Sequence, residues 1–151
     1  MSKIVGIDLG TTFSAIAVLN DSGRPEVLSN YETNQKITPS VVYLKPGESS
    51  AIVGEKAINF YRSEPNHVIS ATKKQMENET VWSLKDGKFI NKNTADIEEG
   101  EYTPAQISSF ILSKVKEFNE DTSDVVITVP AMFADTARTA TLDAAKLANL
   151  N

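Results

Sequence analysis

The sequence predicts a mixed α/β fold, and three stretches predict it. Near the N-terminus an apolar run, Ile4-Val5-Gly6-Ile7, reaches Asp8, passes Leu9-Gly10-Thr11-Thr12 and resumes from Phe13 to Leu19, which reads as strand, tight turn, strand. Thr103-Pro104 with Gln106 opens a helix, and Ile107, Phe110, Ile111, Val115 and Phe118 recur behind it at three- and four-residue intervals. Asp124 to Pro130 is a run of β-branched residues, followed by an Ala- and Leu-rich helix. Such a strand suits a central or parallel position with both faces buried.

The totals agree. A chain of 151 residues is long enough for one ordinary domain or two small ones, and 40% hydrophobic with 23% charged residues is a soluble globular composition. The net charge of −5 argues against nucleic acid or an acidic membrane as partner. With no cysteine there is no disulfide, thiolate metal site or cysteine nucleophile. With His67 as the one histidine, a zinc cluster or a Ser-His-Asp enzyme is not expected. Met1-Ser2-Lys3 leads straight into a short strand-like run without a secretory h-region, and no run approaches the roughly 20 apolar residues of a membrane span.

Taken in order, Ile4–Asp8 and Phe13–Leu19 are strands, Asn20 to Pro25 is a dense turn cluster, and Glu26–Ser29 is a third, antiparallel strand. Asn30 to Lys36 is a polar loop. Thr38-Pro39-Ser40 leads into Val41-Val42-Tyr43-Leu44, rich in β-formers, and after the Pro46-Gly47 turn Ala51–Gly54 returns as a strand. Ala57, Ile58 and Tyr61 have helical spacing, so Glu55–Arg62 is a short helix ended by Pro65-Asn66. His67 to Glu79 carries no clear periodicity. Thr80–Leu84 and Lys88–Ile90 form a hairpin around Asp86-Gly87, and Asn91 to Gly100 is a polar, acidic loop with some strand in it. The helix from Thr103 carries a capping box with Pro at its first position, and its apolar stripe is expected to be core. After the polar linker Asn119–Asp124 comes the β-branched strand, which Pro130 stops. Asp135 then caps the last helix, Thr136–Ala148.

The candidate chemistry sits at the first turn. Gly10 lets the backbone approach closely, and successive N–H groups with the Thr11 and Thr12 hydroxyls can donate to phosphate oxygens. Asp8 would repel a bare phosphate, so it would act through a hard cation or its waters. The same residues also suit an ordinary hairpin with a polar turn. Lys73-Lys74 taken alone reads as a solvated basic pair.

Four blocks, in order and at matching spacing, resemble the signatures of the seventy-kilodalton heat-shock chaperone family. They are Ile7-Asp8-Leu9-Gly10-Thr11-Thr12, Ile37-Thr38-Pro39-Ser40, Tyr102-Thr103-Pro104, and Val126 to Ala131 with Phe133 and Asp135. The resemblance covers the whole chain. It implies the actin-like ATPase fold, a ribonuclease-H-like βββαβα core with an inserted α+β subdomain, in which nucleotide lies in a cleft between two lobes. The chain would be the N-terminal lobe alone. Residues 1–38 would be the first part of subdomain IA, residues 39–100 the inserted subdomain IB, and residues 101–151 the truncated second part of IA. The last helix ends at Asn151 with no strand to cross over to, so a fragment of a longer protein is expected.

The resemblance also implies roles. Asp8 would orient the waters of Mg²⁺, and Gly10, Thr11, Thr12 and Phe13 would line the phosphates of ATP or ADP. Lys73 would be the catalytic lysine reaching the γ-phosphate, with Lys74 as its rival for that register. Pro130 and Arg138 would form the interdomain relay. In the full-length protein ATP hydrolysis would control peptide binding. The partners would be unfolded or extended peptides, a J-domain co-chaperone and a nucleotide-exchange factor, in the cytoplasm and in the stress response, with no nucleic acid and no membrane. The isolated chain would be inactive.

The chain departs from the family pattern at four places. Phe13 stands where members usually have Asn or Tyr, Glu77 where they have Gly, and Met132 and Ala134 where they have Tyr and Asn. These departures leave open a specialised relative with altered turnover or relay. Two other readings are a sugar kinase or filament-forming relative of the same superfamily, and an autonomous, non-catalytic docking lobe. The Val126–Asp135 block speaks against the first and the missing crossover against the second.

Overall fold

A computed structural model describes residues 4–122 and 124–151. Met1-Ser2-Lys3, and Ser123 of the polar linker, lie outside the described residues. The fold is mixed α/β. Its first sheet has the order β11 (Val125–Thr128), β1 (Val5–Leu9), β2 (Phe13–Leu19), β3 (Pro25–Val27), with β4 (Thr38–Pro39) also paired to β2. β1 and β2 are antiparallel across the Gly10 turn, whereas β1 and β11 run parallel in the register Val5↔Val125 to Asp8↔Thr128. A parallel pair requires a crossover, and residues 28–124 supply it.

Alternation along β1 decides which face is covered. Val5, Ile7 and Leu9 are buried, and the intervening Gly6 and Asp8 are exposed. The buried face meets α2 (Pro104–Lys116), whose Ile107, Ile111, Leu112 and Val115 are almost fully enclosed, and α3 (Asp135–Leu147), which contributes Ala137, Ala144 and Ala145. Each fully buried Ile, Leu or Val contributes about 1.5–3 kcal/mol, so this layer dominates the stability of the fold. The α2 cap is the one expected: the Gln106 N–H donates to Thr103 Oγ1 at 3.1 Å, and the Thr103 N–H donates to Gln106 Oε1 at 2.8 Å. The buried arc of α2 is wider than its stripe and includes Ser108 and Ser109, because the helix also packs against strands of the other sheets.

Two three-stranded sheets complete the fold. One has the order β6 (Ala51–Val53), β5 (Val42–Leu44), β7 (Val68–Ile69), and the other β10 (Glu101–Tyr102), β8 (Thr80–Ser83), β9 (Lys88–Asn91). A second core lies under the first of these, where the Tyr43 and Phe60 rings stack at 3.9 Å and the Tyr43 hydroxyl donates to Glu64 at 2.8 Å.

Several expectations are corrected. The β-branched strand, expected in a central or parallel position with both faces buried, is parallel but is not buried on both faces. It lies at an edge of the described sheet with alternate residues exposed, Val126 at 60%. The third strand is Pro25–Val27 rather than Glu26–Ser29 and is exposed throughout. The short helix is α1 (Glu55–Ile58), and the chain then tightens into a 3-10 turn, Asn59–Tyr61. Asp135 is the first residue of α3, not its cap. Ala134 takes the cap position, and the Asp135 charge sits in the first turn, where the helix dipole favours it. The unassigned stretch from His67 divides into β7 and a 3-10 turn, Thr72–Gln75.

A charged cluster ties β10 to the loop before it. Lys92 Nζ lies 2.7 Å from Glu101 Oε2 and 3.1 Å from Glu98 Oε1. Its hydrogen bond holds the Glu101 carboxyl below the ordinary 4.5. A depressed carboxylate stabilises the fold above its unfolded pKa and ceases to do so as pH falls through its folded one. In thermal melts, the advantage of the wild type over Lys92→Met is therefore expected at neutral pH and should vanish below the folded value. An unchanged gap across that range would show that charge contributes nothing there.

Candidate functional site

The candidate site is the turn between β1 and β2 and what reaches it from the rest of the chain. Asp8, Thr12 and Phe13 are exposed, with Gly10 and Thr11 half-buried, so the turn presents a polar surface. Gly10 is fixed by space: a Cβ there would stand 2.0 Å from the Phe13 carbonyl oxygen. The Gly10 N–H donates to Ser14 Oγ at 3.3 Å, and Ser14 Oγ in turn pairs with Ser40 Oγ at 2.9 Å in a buried contact. The Ser40 N–H donates to the Thr12 carbonyl at 2.8 Å. The loop is therefore held from behind by two buried serines, which leaves its outer rim free to meet a ligand. Phe13 pairs through its backbone with Pro39, and the residue is 47% exposed.

Lys73 arrives from 64 residues away. Ala71 adopts the left-handed conformation, φ 55°, which costs an L-residue roughly 1–2 kcal/mol, and it launches the 3-10 turn that carries the lysine. Lys73 Nζ donates to the carbonyl of Leu9, the last residue of β1, at 2.5 Å. The ammonium also stands 5.8 Å from the centre of the Phe133 ring. Burial pushes the Lys73 pKa down, and the nearby Asp8 carboxylate opposes that shift in part. Lys74, the neighbouring candidate, is exposed. The structure therefore brings Asp8, Gly10, Thr11, Thr12, Phe13 and Lys73 into one neighbourhood.

Pro130 and Arg138 meet at the turn that contains Phe133. Arg138 Nε donates to the Phe133 carbonyl at 3.2 Å and Nη2 to the Ala131 carbonyl at 3.4 Å, while the Phe133 N–H returns to the Pro130 carbonyl at 3.0 Å. Arg138 thus binds the turn that follows the strand. Glu77, unexpected at its position, accepts from the Ala134 N–H at 3.3 Å and ties the lysine segment to the start of α3.

Sequence reasoning missed three members of this neighbourhood: Ser14 with Ser40, Thr128, and the Leu9 carbonyl. Thr128 Oγ1 donates to Asp8 Oδ1 at 2.9 Å. The parallel register of the β-branched strand with β1 could have suggested that contact. The two serines gave no local signal.

The N–H and hydroxyl donors of this turn suit the oxygens of a phosphate. Among the described residues no three acidic or histidine side chains converge as a metal cage. A cation at Asp8 would therefore be held by that one carboxylate through its water shell, as suits Mg²⁺, which keeps several of its waters. Among the described residues no helix is long and apolar enough to cross a membrane. A family model described as Hsp70 protein matches residues 4–151.

Proposed function

The chain belongs to the Hsp70 family, and on that premise we propose that it is the phosphate- and Mg²⁺-binding lobe of an actin-like ATPase cleft. In this reading residues 1–38 and 101–151 form subdomain IA and residues 39–100 the inserted subdomain IB. A second lobe closes the cleft in the complete protein. Nucleotide state then controls the binding of extended peptides, with a J-domain protein and an exchange factor as partners in the cytoplasm. The observation that supports this reading most is the Lys73 ammonium on the Leu9 carbonyl, one residue from Asp8.

The division of labour follows from the chemistry. Phosphoryl transfer needs little covalent help and much positioning of charge. Asp8 would hold Mg²⁺ through water, and the ion would supply charge neutralisation at the phosphates. Asp8 orients water, since its carboxylate accepts hydrogen bonds. Gly10 gives the close approach, its own N–H being held by Ser14, and the Thr11, Thr12 and Phe13 N–H groups with the Thr11 and Thr12 hydroxyls donate to phosphate oxygens. Lys73 holds a positive charge where the γ-phosphoryl group gains negative charge, and its partial burial strengthens that interaction. Pro130, which opens the turn after β11, and Arg138, which holds that turn from α3, are the relay that reports nucleotide state to the peptide-binding domain. Phe13 supplies a backbone N–H but no side-chain donor.

Calorimetry of the chain with Mg-ATP tests the lobe reading. One jaw of a cleft is expected to bind weakly, with a dissociation constant near the millimolar range, about 4 kcal/mol, and without multiple turnover. Micromolar affinity or sustained hydrolysis by the chain alone would overturn it.

A further inference from the structure

We propose that Thr128 is a positioning residue for the Asp8 carboxylate, fixing the orientation in which that carboxylate meets the water shell of a bound divalent cation. The inference rests on the cleft reading above and adds a residue from the neighbouring strand. β1 and β11 pair in parallel with Asp8 opposite Thr128, and both side chains lie on the exposed face. Thr128 Oγ1 donates to Asp8 Oδ1 at 2.9 Å across 120 residues of sequence.

An exposed aspartate has a broad terminal torsion, so its carboxylate rotates unless something holds it. A β-branched threonine is stiff at χ1 and makes a well-placed holder. Its single hydroxyl proton goes to Oδ1, which leaves Oδ2 to accept from water. A cation held through water depends on that orientation, because the hydrogen bonds from its shell are directional. Residues that orient a metal's ligands typically change its affinity tenfold or more when they are lost. Thr128 also stands two residues before Pro130, so the Asp8 orientation is attached to the strand that leads into the turn held by Arg138.

Thr128→Val removes the donor and keeps the β-branched shape, while Thr128→Ser keeps the donor. In the complete protein, Mn²⁺ binding in the presence of ADP is read from the resonance of free Mn²⁺. Thr128→Val is expected to weaken it about tenfold, and Thr128→Ser to restore it to within about twofold. ADP affinity in EDTA should be the same in all three, a readout that a merely structural threonine would not separate from Mn²⁺ affinity. Should Thr128→Val fold poorly, Thr128→Ala is a second donor-less variant with the same expected loss. Mn²⁺ affinity unchanged in the donor-less variants, or lost equally in Thr128→Ser, overturns the proposal. A wild type with no ADP-dependent Mn²⁺ binding brings down the cleft reading and this inference with it.

Discussion

Lys73→Ala, made in the complete protein, is expected to abolish ATP hydrolysis while leaving ATP affinity within about threefold of the wild type. Removing one preorganised donor to developing charge typically slows the chemical step about 10²–10³-fold. Binding survives because the Gly10–Phe13 loop is held by Ser14 and Ser40 rather than by the lysine. Single-turnover hydrolysis and a nucleotide titration separate the two effects. Lys74→Ala is expected to leave both unchanged, since Lys74 is exposed. If Lys74→Ala stops hydrolysis and Lys73→Ala does not, the register of the lysine segment is off by one. The pH profile gives a second check. Burial lowers the Lys73 pKa, so its ammonium, and hydrolysis with it, should be lost on the alkaline side before an ordinary lysine would titrate at 10.5.

Gly10→Ala is expected to be as damaging, for a steric reason. The new Cβ would sit 2.0 Å from the Phe13 carbonyl oxygen and 3.2 Å from its carbon, and both are backbone atoms that cannot swing aside. The turn must open. That breaks the Gly10 bond to Ser14 and splays the N–H groups meant for phosphate. Overpacking of this kind typically costs about 1–3 kcal/mol. Gly6→Ala is the matched control, because nothing lies within 4 Å of a Cβ there. Melting temperature and nucleotide affinity, measured on both variants, should fall together in Gly10→Ala and hold in Gly6→Ala. Equal behaviour of the two would mean that the turn tolerates a side chain and is not a close phosphate cradle.

What the sequence made legible was local or periodic. The Gly10 turn, the Thr103–Gln106 capping box and the α2 stripe follow from residues within a few positions of one another. The β-branched strand could be read as parallel but not as an edge, because composition does not say how many faces are covered. The site was legible only in its first half. Lys73 had no signal of its own beside Lys74. What distinguishes it is a left-handed Ala71, where sequence rules look for Gly, and a contact spanning 64 residues. Thr128 on Asp8 and Ser40 on Ser14 span 120 and 26 residues, beyond the reach of any local rule. The family resemblance pointed to Lys73, which the structure places on the Leu9 carbonyl beside the turn, because a family pattern carries long-range geometry that a single chain does not display.

The most direct measurement is a ¹H–¹⁵N NMR titration of the chain with Mg-ADP at millimolar concentration. The expected result is a set of shifts centred on the amides of Gly10, Thr11, Thr12 and Phe13, extending to Lys73 and Phe133 and greatly reduced when Mg²⁺ is withheld. Shifts centred elsewhere, with Gly10–Phe13 and Lys73 silent, would contradict the placement of the nucleotide site at this turn.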